Sequence, residues 1–222
     1  MFNSLVLGVV AARFTWLIVL VGIIGGAFFF RMFSGMPDDD RKRLLETVSG
    51  LAATFVIVFL FGKIVIQFPL FIEEPRAVLS YPSGRKSFYL ASAAVALQAA
   101  YLIKQKQAGS RELFEAGLQI LLPALLIHKF LSIVYIYSGV SSADLVEFGF
   151  LLVIILYLTF KEVSFRRLAG VWVAWLGMKL AVSYFSPLLT VMGVLVDRWY
   201  LFILLAGSII YITQTKNRRG MV

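Results

Sequence analysis

Seven apolar stretches, most of them about 20 residues long, follow one another along the 222-residue chain and constrain its fold more than any other feature. A helix needs about 20 mostly apolar residues to cross the hydrocarbon of a bilayer, whereas an outer-membrane strand is shorter and alternates in polarity. The pattern therefore predicts an all-α polytopic membrane protein with seven transmembrane helices in a single domain, 1–222. The predicted spans are 14–33, 47–72, 88–103, 113–137, 145–160, 168–189 and 199–213.

Composition excludes other classes of protein. Of the residues, 60% are apolar and 15% are charged, whereas soluble domains are near 45–50% apolar and about 25% charged. The net charge of +9 does not indicate a nucleic-acid partner, because little soluble surface remains to carry such a site. The chain has no cysteine, which excludes disulfides, thiolate metal sites and thiol redox chemistry. No motif calls for a metal or cofactor.

The distribution of Lys and Arg predicts the orientation. Thirteen basic residues lie after the first, third, fifth and seventh predicted helices, against five on the opposite side. Because cytoplasmic loops carry the excess of basic residues, we expect the N-terminus outside and the C-terminus in the cytoplasm of a bacterial plasma membrane. The first apolar stretch follows Arg13 and is longer than that of a signal peptide, so we expect a retained helix. Residues 1–12 form either an interfacial segment or the start of a longer first helix.

Three basic residues are left over and fall inside predicted helices two, four and six: Lys63, Lys129 and Lys179. A charged side chain at membrane depth is costly and usually faces a bundle interior or a wet cavity. Each lysine lies past the midpoint of an outward-running helix, so all three are expected in the outer half of the membrane. The alternative is that each lysine extends its ammonium group to the headgroups.

Polar residues follow these lysines at helical spacing and extend the expected site outward. They are Gln67 after Lys63, Ser132 after Lys129, and Ser183 after Lys179. Three cations at one depth would repel one another unless an anion lies among them. Glu147 is the best internal counter-charge, and an anionic phospholipid of the outer leaflet is the expected external ligand.

Three further residues are weaker candidates. His128 and Glu147 are the only plausible general bases, although a lone membrane histidine is often just a hydrogen-bonded residue of the bundle. Arg85 belongs to a basic outer loop that contacts either the headgroups or a specific ligand. The pair Gly25-Gly26 is expected to permit close helix packing.

Five short segments resemble the bacterial prolipoprotein diacylglyceryl transferases, and together they cover nearly the whole chain. They are Leu7-Gly8 with Arg13-Phe14-Thr15, Gly62-Lys63-Ile64, the stretch Ser83 to Tyr89, Leu145-Val146-Glu147, and Gly177-Met178-Lys179. The resemblance implies a seven-helix fold and, in the family, transfer of diacylglyceryl from phosphatidylglycerol to a lipoprotein cysteine.

The departures from this family concern its reactive residues. The family's essential histidine falls on Phe88 or Tyr89, and its later arginine has no match near Tyr184–Ser186. The three lysines stand near family arginines, and lysine keeps the charge but loses the planar fork that binds phosphate bidentately. The resemblance therefore implies a cationic lipid-binding cavity without the family's transferase activity.

Three other functions stay open at this point. The chain could be an accessory or structural subunit of a larger membrane complex, since its aromatic-rich helices permit lateral packing. It could also be an active lipid-modifying transferase with altered chemistry. A transporter or channel is less favoured, because the sequence has no convincing inverted repeat and no acidic relay.

Overall fold

The computed structural model describes residues 2–80, 83–135, 141–160, 164–185 and 189–217, with side chains described from residue 17 to 215. Within these ranges nine helices and one small hairpin follow in order. They are α1 (Phe2–Phe33), α2 (Asp38–Ile66), α3 (Phe68–Glu73), α4 (Pro75–Ser80), α5 (Arg85–Lys104), α6 (Ser110–Tyr135), α7 (Ser142–Phe160), α8 (Phe165–Phe185), β1 (Thr190–Val191), β2 (Val194–Leu195) and α9 (Arg198–Asn217).

Five of these helices are long and apolar enough to cross a membrane, namely α2, α5, α6, α7 and α8. The end of α1, Leu17–Phe33, is a shorter apolar helix. Many large apolar side chains are exposed along these helices, including Ile24, Leu97 and Val153, which fits a surface that contacts lipid rather than water. The prediction of a helical, multi-pass membrane protein is confirmed.

Helix α2 does not coincide with the second predicted span, 47–72, because it begins at Asp38 and ends at Ile66. The acidic run that opens α2 at Asp38 lies in its first turn, where the helix dipole stabilises carboxylates. Arg41 also pairs with Asp38. At the other end, Gln67 leaves the helical region with φ −116° and ψ 36°. Pro69 then lies in the first turn of α3, where a missing N–H is tolerated.

Other predicted ends also shift. Helix α1 runs without interruption from Phe2, as in the alternative of a longer first helix. Helix α8 ends at Phe185, so Leu189 at the predicted end of the sixth span lies outside the helix. Pro123 lies within α6, whereas Pro187 and residues 136–137 lie outside the described residues.

The chain divides into two compact units, residues 36–117 and residues 1–35 with 118–222, which are described separately here. In the 36–117 unit, α2 packs along α5. The ring of Phe88 meets the rings of Phe55 and Phe59 edge-on, with centroids 5.4 and 6.3 Å apart. Aromatic rings prefer this edge-to-face geometry, so the three residues form a specific contact between the two helices.

In the other unit, α1 packs closely on α6 through its glycines. A Cβ atom added to Gly22 would lie 2.8 Å from the carbonyl oxygen of Ala124, and one added to Gly26 would overlap the carbonyl oxygen of Ile120. Small residues allow such close backbone approach in membrane helices, where van der Waals packing drives association. The expected role of Gly25-Gly26 in helix packing therefore fits the structure, with Gly22 as a further contact.

The hairpin between α8 and α9 was not expected from the sequence. Its strands pair antiparallel, Thr190 with Leu195 and Val191 with Val194. The two connecting residues, Met192 and Gly193, have φ of 49° and 78°. Positive φ at both central residues is typical of a type I′ turn, which matches the twist of the flanking strands. The Thr190 carbonyl oxygen of this hairpin accepts a hydrogen bond from the buried Lys179.

Candidate functional site: a buried network of lysines and carboxylates

Two of the three membrane lysines meet at one carboxylate. Lys129 Nζ lies 2.6 Å from Glu147 Oε2, and Lys179 Nζ lies 2.7 Å from Glu147 Oε1. These three residues come from α6, α8 and α7 and are all buried. Glu147 thus bridges the two ammonium groups, and its predicted role as their internal counter-charge is confirmed.

Sequence reasoning missed a second carboxylate, Asp144. Its Oδ1 accepts a hydrogen bond from Lys129 Nζ at 3.0 Å. Asp144 lies in the first turn of α7, where the helix dipole stabilises a negative charge. The signal was present in the sequence, because Asp144 precedes Glu147 by three residues and such residues share one helix face.

Lys179 has further contacts that fix its position. Its ammonium group donates a hydrogen bond to the carbonyl oxygen of Thr190 in the hairpin, at 2.7 Å. It also lies 5.9 Å from the ring centroid of Trp175, one helical turn earlier. A cation gains from both a carbonyl dipole and an aromatic face when it is removed from water. The hairpin therefore completes the surroundings of Lys179.

The four charged side chains of this network balance. Lys129 and Lys179 contribute two positive charges, and Asp144 and Glu147 contribute two negative charges. Burying an ion is costly unless it is paired and hydrogen-bonded, and each of these four has a partner of opposite charge. Helix α7 therefore supplies an internal anion to each of the two lysines.

Other predicted site residues lie on α6 and α8, the helices that carry the two lysines. His128 is 5% exposed, and its Nε2 makes no hydrogen bond within the described part of the chain. Ser132 is buried in α6. The Ser183 hydroxyl donates a hydrogen bond to the Leu180 carbonyl oxygen of its own helix at 2.6 Å, so its proton already has an acceptor within α8.

The remaining predicted residues belong to the 36–117 unit. Lys63 lies in the last turn of α2, and its Nζ donates to the Leu79 carbonyl oxygen at 2.7 Å. Gln67 ends α2, with its backbone N–H on the Lys63 carbonyl, and Arg85 begins α5. Lys63 thus belongs to a different unit from Lys129 and Lys179, where the sequence predicted one cavity for all three.

The end of the 36–117 unit that contains Lys63 is rich in basic and exposed apolar side chains. Four basic residues belong to the segment from the end of α2 to the start of α5, against the two carboxylates Glu73 and Glu74. The basic residues are Lys63, Arg76, Arg85 and Lys86, the last three of them exposed. The short helices α3 and α4 expose large apolar side chains beside them, including Phe68, Ile72 and Leu79.

Phe88 and Tyr89, at which the expected resemblance places the family's histidine, are aromatic residues near the start of α5. Phe88 is buried, and its ring packs on Phe55 and Phe59. The neighbouring Tyr89 is half-buried and its ring stacks edge-on to Phe88. Neither ring can accept a proton as an imidazole does.

Comparisons with protein-family models, with curated proteins and with solved structures find no match to this chain.

Proposed function

We propose that the chain is a seven-span protein of the bacterial plasma membrane that binds an anionic phospholipid of the outer leaflet. Each of the seven predicted spans overlaps one long helix of the described residues, and five of these helices are long and apolar enough to cross a membrane. The excess of Lys and Arg in alternate loops supports an external N-terminus and a cytoplasmic C-terminus. In this orientation Lys63 and the surrounding basic residues face the outer leaflet.

The basic end of the 36–117 unit is the observation that carries the proposal. Lys63, Gln67 and Arg85 lie where α2 ends and α5 begins, beside short helices with exposed apolar side chains. An interfacial segment of this kind places apolar groups in the acyl layer and basic groups at the phosphates. The basic residues of this segment outnumber its two carboxylates, Glu73 and Glu74, so this end of the unit is the proposed site for an external anion.

The lipid site can be tested by native mass spectrometry of protein exchanged into mixed phosphatidylglycerol and phosphatidylcholine. A Lys63→Gln/Arg85→Gln variant is expected to retain roughly thirty-fold less phosphatidylglycerol relative to phosphatidylcholine, since each basic residue near anionic lipid contributes about 1 kcal/mol. The matched control is Lys104→Gln/Lys106→Gln, which removes two exposed charges at the other end of α5. Equal retention by the two variants would refute the proposed site.

We further propose that the chain shares the transferase fold but lacks the family reaction. The resemblance places the family's histidine at Phe88 or Tyr89, where Phe88 packs on Phe55 and Phe59, and the two candidate bases offer no replacement. Glu147 is held between two lysines, and His128 is buried beside them. Phosphatidylglycerol labelled in its diacylglyceryl group can be incubated with the protein and a lipobox peptide. The expected result is no lipidated peptide above a blank without protein. Turnover that disappears in Glu147→Gln or His128→Gln would instead identify an active transferase.

A further inference from the structure

Asp144 is the least buried member of the lysine–carboxylate network. Its side chain is 19% exposed, against 7% for Lys129 and 8% for Glu147. It lies in the first turn of α7, and the exposed residue Ser141 precedes it. Asp144 is therefore the carboxylate that an ion from outside the network would meet first.

Asp144 can leave Lys129 without losing its other hydrogen bonds. The Ser141 hydroxyl donates to Asp144 Oδ2 at 2.6 Å and accepts from the Asp144 backbone N–H at 3.1 Å. This reciprocal pair is a helix-capping arrangement that is independent of the lysine. A carboxylate that is partly exposed, and held by a second partner, costs less to detach than the buried Glu147.

Lys129 can accept a different anion in place of Asp144. Its Nζ keeps the 2.6 Å contact with Glu147 Oε2 when Asp144 moves away. A singly charged phosphate oxygen placed against Lys129 would then balance the charges of Lys129, Lys179 and Glu147, and the detached Asp144 would keep its hydrogen bonds with Ser141. Ammonium groups bind phosphate through charge-assisted hydrogen bonds, so the exchange replaces one such bond by another.

We propose that Asp144 is an exchangeable carboxylate that masks a phosphate-binding position on Lys129. The ligand is a singly charged phosphate group, either on a lipid headgroup or free in solution. This position lies in the unit of residues 1–35 and 118–222, so it is a second site in addition to the one proposed at Lys63. The suggestion that the phosphate belongs to a lipid rests on the proposed function. The suggestion that Asp144 masks Lys129 does not depend on it.

Two variants separate the phosphate-binding position from a general effect of charge. Asp144→Asn leaves the network with one unbalanced positive charge. Asp144→Asn/Lys129→Gln restores neutrality and also removes the ammonium group that would bind phosphate. One arm compares nanodiscs of phosphatidylglycerol with nanodiscs of phosphatidylcholine. The other adds inorganic phosphate, against chloride at equal ionic strength, to protein in neutral detergent. Both variants keep Lys63 and Arg85, so the lipid site proposed there contributes equally.

Asp144→Asn is expected to retain about tenfold more of the phosphate ligand than the unaltered chain or the double variant, as one charge-assisted hydrogen bond would give. A gain in phosphatidylglycerol alone identifies a lipid headgroup, and a gain in inorganic phosphate as well identifies a site for free phosphate. Equal retention by Asp144→Asn and the double variant in both arms overturns the proposal, whatever happens at Lys63.

A variant that is too unstable to purify still gives a result. If Asp144→Asn does not survive in phosphatidylcholine or chloride, its folded yield in phosphatidylglycerol or phosphate becomes the measurement. The proposal requires at least one of these phosphate sources to restore the yield, because an anion on Lys129 replaces the missing carboxylate. A yield that only the Lys129→Gln substitution restores would show that Asp144 is a structural counter-ion and nothing more.

Discussion

Replacement of Glu147 by glutamine is expected to lower the free energy of unfolding by about 3–5 kcal/mol, the usual cost of removing one partner from a buried ion pair. The cost is at the upper end because Glu147 is shared. Its two oxygens lie 2.6 Å from Lys129 Nζ and 2.7 Å from Lys179 Nζ. Without it Lys179 keeps the Thr190 carbonyl but no carboxylate among its described contacts. Unfolding in detergent, followed by circular dichroism, measures the loss.

The matched control for this change is Glu112→Gln. Glu112 also pairs with a basic residue, Arg43 at 3.2 Å, but both side chains are about half exposed. Exposed pairs contribute about 0–1 kcal/mol, so this variant is expected to unfold almost like the unaltered chain. A Glu147→Gln variant as stable as Glu112→Gln would contradict the account of a buried network.

A double variant distinguishes an unpaired charge from a lost contact. Glu147→Leu/Lys179→Met removes one acid and one base, so Lys129 and Asp144 remain as a balanced pair. Replacing a whole buried pair by apolar residues is often neutral in stability. The double variant is therefore expected to be more stable than Glu147→Gln. If the double variant is less stable than Glu147→Gln, the lost stability comes from packing and not from an unpaired charge.

The membrane class and most of the helices could be predicted from the sequence, because length and apolar content alone decide them. Lys129, Lys179 and Glu147 could also be selected, since charges inside apolar stretches are rare and need partners. Their pairing could be anticipated because the three positions lie toward matching ends of successive antiparallel helices. These predictions rest on composition and periodicity, which are properties of the chain itself.

The rest depends on contacts between segments. Asp144 was missed because it lies at the edge of an apolar stretch, where an acid is usually a solvated helix start. The early end of α2 depends on the local backbone at Gln67, which hydrophobicity does not report. The Thr190 carbonyl became a partner of Lys179 only through the hairpin. A backbone acceptor of this kind has no signal in residue type.

The source of the anion shows where sequence reasoning stopped. The requirement for a negative charge beside Lys129 and Lys179 follows from electrostatics and holds in the structure. Charge counting found one carboxylate for three lysines and assigned the deficit to a ligand. The structure gives two carboxylates to two lysines and leaves Lys63 in the other unit. The proposed lipid site rests instead on the basic and exposed apolar residues around Lys63.

Replacing Gly26 by alanine is expected to destabilise the chain by about 3 kcal/mol, the upper range for overpacking a well-packed contact. The added methyl group would overlap the Ile120 carbonyl oxygen and lie 3.2 Å from the Ala124 Cβ. A backbone oxygen inside a helix cannot rotate away as a side chain can, so α1 and α6 must separate. Thermal unfolding in detergent measures the change.

Gly207→Ala in α9 is the control for the Gly26 variant, because nothing lies within 4 Å of the added methyl group. It is expected to leave stability unchanged or raise it by up to about 1 kcal/mol, since alanine favours a helix over glycine. If the two variants unfold alike, α1 does not pack on α6 through Gly26. If only Gly26→Ala is destabilised, α1 supports the helix that carries Lys129, since the same face of α6 meets Gly22 near His128.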